Sequence, residues 1–336
     1  VRRPISIWAL LIAIFGFAII SAPALAKKPP YRHHQLGTPG TPTPGPVSGG
    51  LLLIGGGDRN HDAMHWFFGK AGHGHIVVLR ASLGPEIGEE FFNDIGGIQS
   101  VETFVFYDRI AATDPKILAS LRRADGIFIA GGDQARYVRY WRGTPVAALL
   151  DEHVAAGKPL AGTSAGLAIL GERLYAPMQG GSLSSSRALA APFGAANTIE
   201  GDFLHIALLK GVVTDTHFKE RHRLGRLFAF VAKAQADRKA DQPAMIGLGV
   251  DESAALAVEP DGAGRIYATE PDGGVWLVDG AELRNVARQG PLNAPRVKVT
   301  RLLTGSTIHL PSGTVENPDF IGTYSAENGE LNQLTY

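Results

Sequence analysis

An open, mostly parallel β-sheet with helices on both faces, lengthened by added strands toward the C-terminus, is the fold class this sequence predicts. Three observations predict it. Short apolar runs alternate with helical stretches from residue 51 to the segment around Ser164. Several of these runs end in glycine-rich or polar turns, at Gly55-Gly56-Gly57-Asp58, Gly131-Gly132-Asp133-Gln134 and Gly162-Thr163-Ser164-Ala165-Gly166. Beyond Met245 the texture changes to short strands separated by Pro-Asp-Gly and Asp-Gly turns. Apolar strands joined through helices build right-handed βαβ units, and their sheet is covered on both faces.

The elements follow in chain order. Residues 1–26 carry Arg2-Arg3, an apolar stretch from Trp8 to Ile20 and the small-x-small site Ala24-Leu25-Ala26. That is the pattern of a secretory signal peptide, with an apolar stretch short for a membrane span, so no stable membrane anchor is expected after its cleavage. Residues 27–50, rich in Pro, Gly and Thr, are expected to be an exposed flexible linker. Residues 51–336 are expected to form one α/β domain with a β-rich C-terminal part. Its first strands are predicted at 51–54, 76–79, 101–106 and 126–130, with a helical stretch running through Glu90-Phe91-Phe92. Thr113-Asp114-Pro115 opens a helix, with Thr or Asp as N-cap and Pro in the first turn. A helical pair and one more strand then lead into Ser164. Segment 180–194, with its serine run, is expected to be a mobile loop. Strands at 245–250, 254–258, 265–268, 275–278, 297–303 and 306–310 extend the sheet or form an antiparallel layer on the same domain.

Composition narrows the chemistry. Lys+Arg and Asp+Glu balance at 32 each, so no global field draws the chain to nucleic acid or an anionic surface. There are no cysteines, which excludes disulfides, thiolate metal ligands and cysteine nucleophiles together. His61 and His65 are four apart and His73 and His75 two apart, but no HExxH or adjacent carboxylate pattern accompanies them, so no metal site and no cofactor are expected. The turn at 55–58 matches neither the Walker nor the dinucleotide fingerprint.

Gly162-Thr163-Ser164-Ala165-Gly166 is a Gly-x-Ser-x-Gly core between an apolar run and a helical one, the setting of a nucleophile elbow. There the Ser164 hydroxyl stands clear of the sheet and the Ala165 N–H faces a substrate oxyanion. The strand end at Gly132-Asp133 can supply a second oxyanion N–H, with Gln134 as a neutral substrate contact. His217, after the apolar run at 212–213, is where a sheet delivers an imidazole to Ser164. Its orienting carboxylate is sought at the next strand end, where Glu252 is preferred and Asp215 and Asp251 are alternates. His217 is expected to lead into a helix containing Glu220, Arg221, Arg223 and Arg226. On a continuous helix Arg221 lies about 40° from His217, Arg223 about 120° the other way and Arg226 nearly opposite. They cannot all face one pocket unless the helix starts after Arg221. Arg221 and Arg223 are therefore preferred for the pocket and Arg226 as an ion-pair partner.

Four segments in this order carry a resemblance: GGDQ at 131–134, GTSAG at 162–166, D-x-HF-x-x-R-x-R-x-GRL at 215–227 and G-x-G-x-DE at 247–252. Together they resemble the cyanophycinases and the related aspartyl dipeptidases of the peptidase E type, over roughly residues 51–278. The resemblance implies a flavodoxin-like fold like that of the class I glutamine amidotransferases, with serine where those carry cysteine. It implies Ser164 as nucleophile, His217 as base and Glu252 as its partner. Gln134, Asp215, Thr216, Arg221, Arg223 and Arg226 fall at substrate-site positions. The implied activity is hydrolysis of aspartyl peptide bonds, and for cyanophycinases release of β-aspartyl-arginine dipeptides from the Asp–Arg polymer. An isoaspartyl or α-aspartyl dipeptidase is the alternative, and a non-catalytic secreted binding protein on the same fold the second. Thr216 departs from the family, which carries Gln before the His, and this bears on the polymer more than on hydrolysis. The resemblance also implies a homodimer, although no stretch reads as an interface. The leader segment implies a periplasmic or extracellular address.

Overall fold

The structure, a computed structural model, describes residues 28–82, 84 and 86–334; the signal peptide expected at 1–26 lies outside the described residues. The described chain begins with β1 (Tyr31–Gly37) and continues through β2 (Gly50–Ile54), β3 (His75–Arg80), β4 (Ser100–Phe106), β5 (Gly126–Ile129) and β6 (Pro159–Thr163). From β2 to β6 the strands pair in parallel in the order β4-β3-β5-β6-β2. The connecting helices are α1 (His61–Lys70), α2 (Ile87–Glu89), α3 (Pro115–Arg123), α4 (Gln134–Trp141) and α5 (Pro145–Ala155). Side-chain caps hold three of them: Asn60, Asp114 and Asp133 each accept a first-turn backbone N–H, and of these the sequence predicted the one at Thr113-Asp114.

Period-two alternation puts the sheet between two cores. Leu51, Leu53, Val77, Leu79, Ile127 and Ile129 face Ile117 and Leu121 of α3, Tyr137 and Trp141 of α4 and Val146 and Leu150 of α5. Their neighbours Leu52, Ile54, Ile76, Val78 and Phe128 face Phe67 and Phe68 of α1 and Phe91, in the π-helical turn that follows α2. All these side chains are buried. A strand apolar on both faces needs helices on both, which is the doubly wound arrangement the sequence predicts.

The linker expected at 27–50 requires correction. Its residues 31–37 form β1, antiparallel to β4 at the edge of the sheet. Tyr31 and His33 pack their rings on Phe104, and His33 hydrogen bonds to buried Glu102 at 2.7 Å. Further on, Gly45 and Ser48 donate backbone N–H groups to Gly72 and Lys70. Pro and Gly content alone masked this strand.

After β6 come α6 (Ala165–Ala168), β7 (Arg173–Tyr175), α7 (Ser185–Ala190), β8 (Ile199–Glu200), β9 (Val212–Asp215), α8 (Leu224–Gln235) and β10 (Ile246–Val250). The remaining strands are β11 (Ala254–Val258), β12 (Ala263–Ala268), β13 (Val275–Asp279), β14 (Ala294–Leu302), β15 (Thr307–His309), β16 (Thr314–Glu316), β17 (Phe320–Glu327) and β18 (Glu330–Leu334). These late strands do not form one layer. β11, β12, β15 and β16 lengthen the first sheet beyond β2, whereas β13, β14, β17 and β18 lengthen a second sheet built on β10, β9, β7 and β8. Within that second sheet β9 runs parallel to β7 and β10. Its core lies against α8, through Phe228, Phe230 and Val231 packed with Val213, Val278 and Val299.

Two further expectations change. Segment 180–194 is not a bare loop, since it contains α7, capped by Ser184 and tied to the next turn by the Ser185 hydroxyl donating to His222 O at 2.5 Å. The helix expected to contain Glu220, Arg221 and Arg223 starts only at Leu224. Positive φ at His217 (45°) and His222 (48°) interrupts any helix before it. Residues 217–223 form a compact turn instead, closed by Arg221 N–H to His217 O and Arg223 N–H to Phe218 O.

Candidate active site

Five strand ends converge on one edge. β6 ends at Ser164, which sits at φ 52° and ψ −119° between the strand and α6. A non-glycine residue in that region is strained, and the strain lifts the side chain off the sheet. The turn is tight on both sides: a Cβ at Gly166 would lie 2.0 Å from Ile129 O, and one at Gly162 2.7 Å from Gly166 O. Those positions accept only glycine.

Ser164 Oγ lies 2.7 Å from His217 Nε2, and His217 Nδ1 lies 2.5 Å from Glu252 Oε1. The imidazole is seated by backbone. His217 N–H donates to Gly55 O at 2.9 Å, and the ring packs on the α-carbon of Gly56, where a Cβ would stand 2.2 Å from Cε1. Sequence reasoning read the glycine turn at 55–58 as a strand end without a role; in the structure it makes room for the His217 ring. Glu252 is held in turn, because its backbone N–H donates to the Glu220 carboxylate at 3.0 Å. Glu220 carried no signal in the sequence beyond its place in the turn.

Burial lowers the His217 pKa below the ordinary imidazole value, the Glu252 hydrogen bond opposes this, and the Arg221 charge lowers it again. A neutral ring at neutral pH can accept the Ser164 proton. Of the alternate carboxylates, neither faces His217. Asp251 is buried and accepts N–H bonds from Lys219, Gly274 and the Trp276 indole. Burial pushes Asp251 up to about 6 against those three donors. It fastens the 217–223 turn to β13 through these bonds.

A cleft of about 320 Å³ lies between the 131–134 turn and the 216–223 turn, and Gly132, Asp133, Gln134, Thr216, Arg221 and Arg223 line it. Arg139 and Ser182 close its far side. Gly131 abuts Ser164, where a Cβ would come 3.3 Å from the serine Cβ, and Gly132 takes φ 146°. The N–H groups of this turn and of Ala165, at the unpaired first turn of α6, are the nearby backbone donors. Arg221 is half exposed and 3.7 Å from Glu252 Oε1. Arg223 is buried, donates to Thr216 O at 2.7 Å, and its pKa is lowered to about 10 by burial, which the Asp215 carboxylate opposes.

Asp215 and Arg226 do not line the cleft, which corrects their substrate-site assignment. They form a buried ion pair with each other: Arg226 Nε donates to Asp215 Oδ2 at 2.7 Å and Nη2 to Oδ1. The guanidinium also stacks near Tyr175 and Phe230 and reaches Ser182 at 2.9 Å. Both residues are 2% exposed, so a substrate cannot touch them. Asp215 instead orients the cleft from behind, accepting the Thr216 N–H at 2.8 Å.

Three of the four paired histidines are engaged elsewhere. His65 bonds Ile95 O, His73 bonds Gly97 O, and His75 bonds Ser100 Oγ.

Comparison with known proteins adds a family to this geometry. The model of peptidase family S51 matches residues 107–266. Cyanophycinases of Trichormus variabilis and of a Nostoc species are each 30% identical over 289 residues, covering 81% of this chain and 89% of theirs. The crystal structure of a peptidase from an acI-B1 Actinobacterium superposes with a TM-score of 0.53 at 17% identity, over 80% of this chain and 99% of that one. That likeness is one of fold.

Proposed function

Since the chain belongs to peptidase family S51 and is a serine-type hydrolase, we propose that it cuts aspartyl peptide bonds with Ser164 as nucleophile and that its substrate is the Asp–Arg polymer. The observation that carries the reading is the unbroken hydrogen-bond chain from Ser164 through His217 to Glu252. His217 Nε2 takes the hydroxyl proton as Ser164 Oγ adds to the scissile carbonyl. The N–H groups of Ala165 and of the Gly132-Asp133 turn receive the oxyanion. Collapse expels the amine, which leaves with the proton from His217, and the acyl-enzyme forms. Water then repeats the two steps, and Glu252 keeps the imidazole oriented and its charge offset throughout. Arg221 and Arg223 face the same cleft as Gln134 and Thr216, a donor-rich wall that suits the free carboxylate of an aspartyl residue.

Export through the leader at 1–26 belongs to the same proposal. It rests on the basic start, the apolar stretch and the Ala-Leu-Ala site, and it suits a polymer released by other cells.

An isoaspartyl dipeptidase is the second reading, favoured by Thr216, which supplies no amide where cyanophycinases place one. Purified protein and its Ser164→Ala variant, incubated with insoluble cyanophycin, decide between them by mass analysis of the soluble products. β-Aspartyl-arginine from the wild type alone is expected. No release from either, with cleavage of β-aspartyl dipeptides, would transfer the assignment to the dipeptidase. Equal release from both would remove Ser164 from the mechanism.

A further inference from the structure

A second groove, of about 630 Å³, lies on the other side of the 217–223 turn, and Arg223 borders both spaces. The ridge between them is the turn that carries the catalytic base. The groove runs between α7 and the β17–β18 hairpin, over a floor that includes Phe218 and Trp276. The Tyr324 ring and the Glu330 carboxylate line the hairpin side, and Lys219 and His222 the catalytic side.

Its charges are arranged in opposition. Glu330 is exposed and has no ion-pair or hydrogen-bond partner for its carboxylate among the described residues. Across the floor, the exposed His222 imidazole is likewise unpartnered, on a backbone held at φ 48°. Lys219 beside it is tethered to Asp272 at 2.8 Å, at the groove's edge. The Glu330 and His222 side chains both border the groove with their polar atoms free to meet a ligand of opposite charge at each end. The aromatic wall also suits a guanidinium: Arg301 already lies 5.4 Å from the Trp276 ring centroid.

We propose that this groove binds a further repeat of the Asp–Arg polymer while the catalytic cleft holds the two repeats that flank the bond being cut, a proposal that rests on the polymer reading given above. The arginyl side chain of that repeat lies along Tyr324 toward Glu330, and its carboxylate points to His222 and Lys219. The groove thus gives the enzyme a grip on the polymer that a two-repeat substrate cannot use.

The test compares insoluble cyanophycin with a two-repeat substrate, using wild type, Glu330→Lys and His222→Gly. Neither change threatens the fold, since Glu330 is exposed and glycine is at ease at the positive φ of residue 222. On the polymer each variant is expected to lose roughly five- to tenfold in kcat/KM, carried by KM, the scale of one lost charge or stacking contact. On the two-repeat substrate both should match wild type. Equal rates on the polymer would overturn the groove assignment, as would parallel losses on both substrates. Dimerisation abolished by Glu330→Lys with polymer cleavage unchanged would overturn it in favour of a second copy of the chain. A wild type that cuts only dipeptides would instead overturn the polymer reading, and the groove assignment with it.

Discussion

Replacing Glu252 with glutamine keeps the shape of the side chain and removes its charge, so it isolates what the carboxylate does for His217. Glu252 Oε1 lies 2.5 Å from Nδ1, and Ser164 Oγ lies 2.7 Å from Nε2 on the other side of the ring. With a carboxylate the ring must carry its proton on Nδ1, leaving Nε2 free to act as base. An amide can donate to Nδ1 instead, which puts the proton on Nε2 and disables it. In serine triads this type of change costs about 10⁴ in kcat, or about 5 kcal/mol of transition-state stabilisation. The pH dependence gives a second, independent sign. Burial lowers the His217 pKa and the Glu252 bond raises it, so removing the charge moves the acidic limb of kcat/KM to lower pH. Arg221 works in the opposite direction, and Arg221→Ala should move that limb upward, by less than a buried charge would because the guanidinium is half exposed. The assay is a pH–rate profile between pH 4 and 9 on wild type and the two variants. Residual activity of Glu252→Gln within about threefold of wild type, or an acidic limb moving upward, would refute the assignment of Glu252.

Three other perturbations probe the surrounding structure. Gly56→Ala puts a methyl 2.2 Å from the His217 ring, so the imidazole must leave Ser164; activity should fall about 100-fold or more with folding, read by circular dichroism, retained. Asp251, raised to about 6 by burial, binds its proton more tightly in the folded state than in the unfolded one; stability should therefore fall as pH rises from about 4 to 6. That loss is on the order of 1–3 kcal/mol and should be smaller in Asp251→Ala, measured by urea unfolding at pH 4.5 and 7.5. Burial would raise Glu102, but the His75 ring 3.4 Å away, the Ser120 hydrogen bond, the Arg123 charge and the His33 hydrogen bond outweigh it and hold the carboxyl at about 2. Its contribution is present above the ordinary carboxyl pKa and is lost as pH falls toward 2. Glu102→Ala should cost about 2–4 kcal/mol at neutral pH and speed amide exchange in β1, whose His33 it pins.

The catalytic centre was more legible than the ground beneath it. Ser164, His217 and Glu252 each stand in a short motif at a strand end, and strand ends are where an α/β sheet gathers its chemistry. The arginines were legible only conditionally, because helix phase hinges on where α8 begins. Positive φ at His217 and His222 decides that, and no residue type at those positions announces it. β1 was hidden by its neighbours: a strand of mixed polarity at a sheet edge buries too little apolar surface to show a pattern. The division of the late strands between two sheets could not be read at all, since short antiparallel strands with similar turns fit either partner.

That division has a consequence for how the enzyme comes alive. Ser164 is delivered by the first sheet, His217 by the second, and Glu252 by the segment that crosses from β10 in one to β11 in the other. Neither sheet alone holds a working pair. The proton path proposed for Ser164, His217 and Glu252 therefore closes only when both halves have folded and docked, and recovery of activity on refolding is expected to lag recovery of secondary structure. A chain whose two sheets are folded but not yet docked is expected to be inert toward peptides.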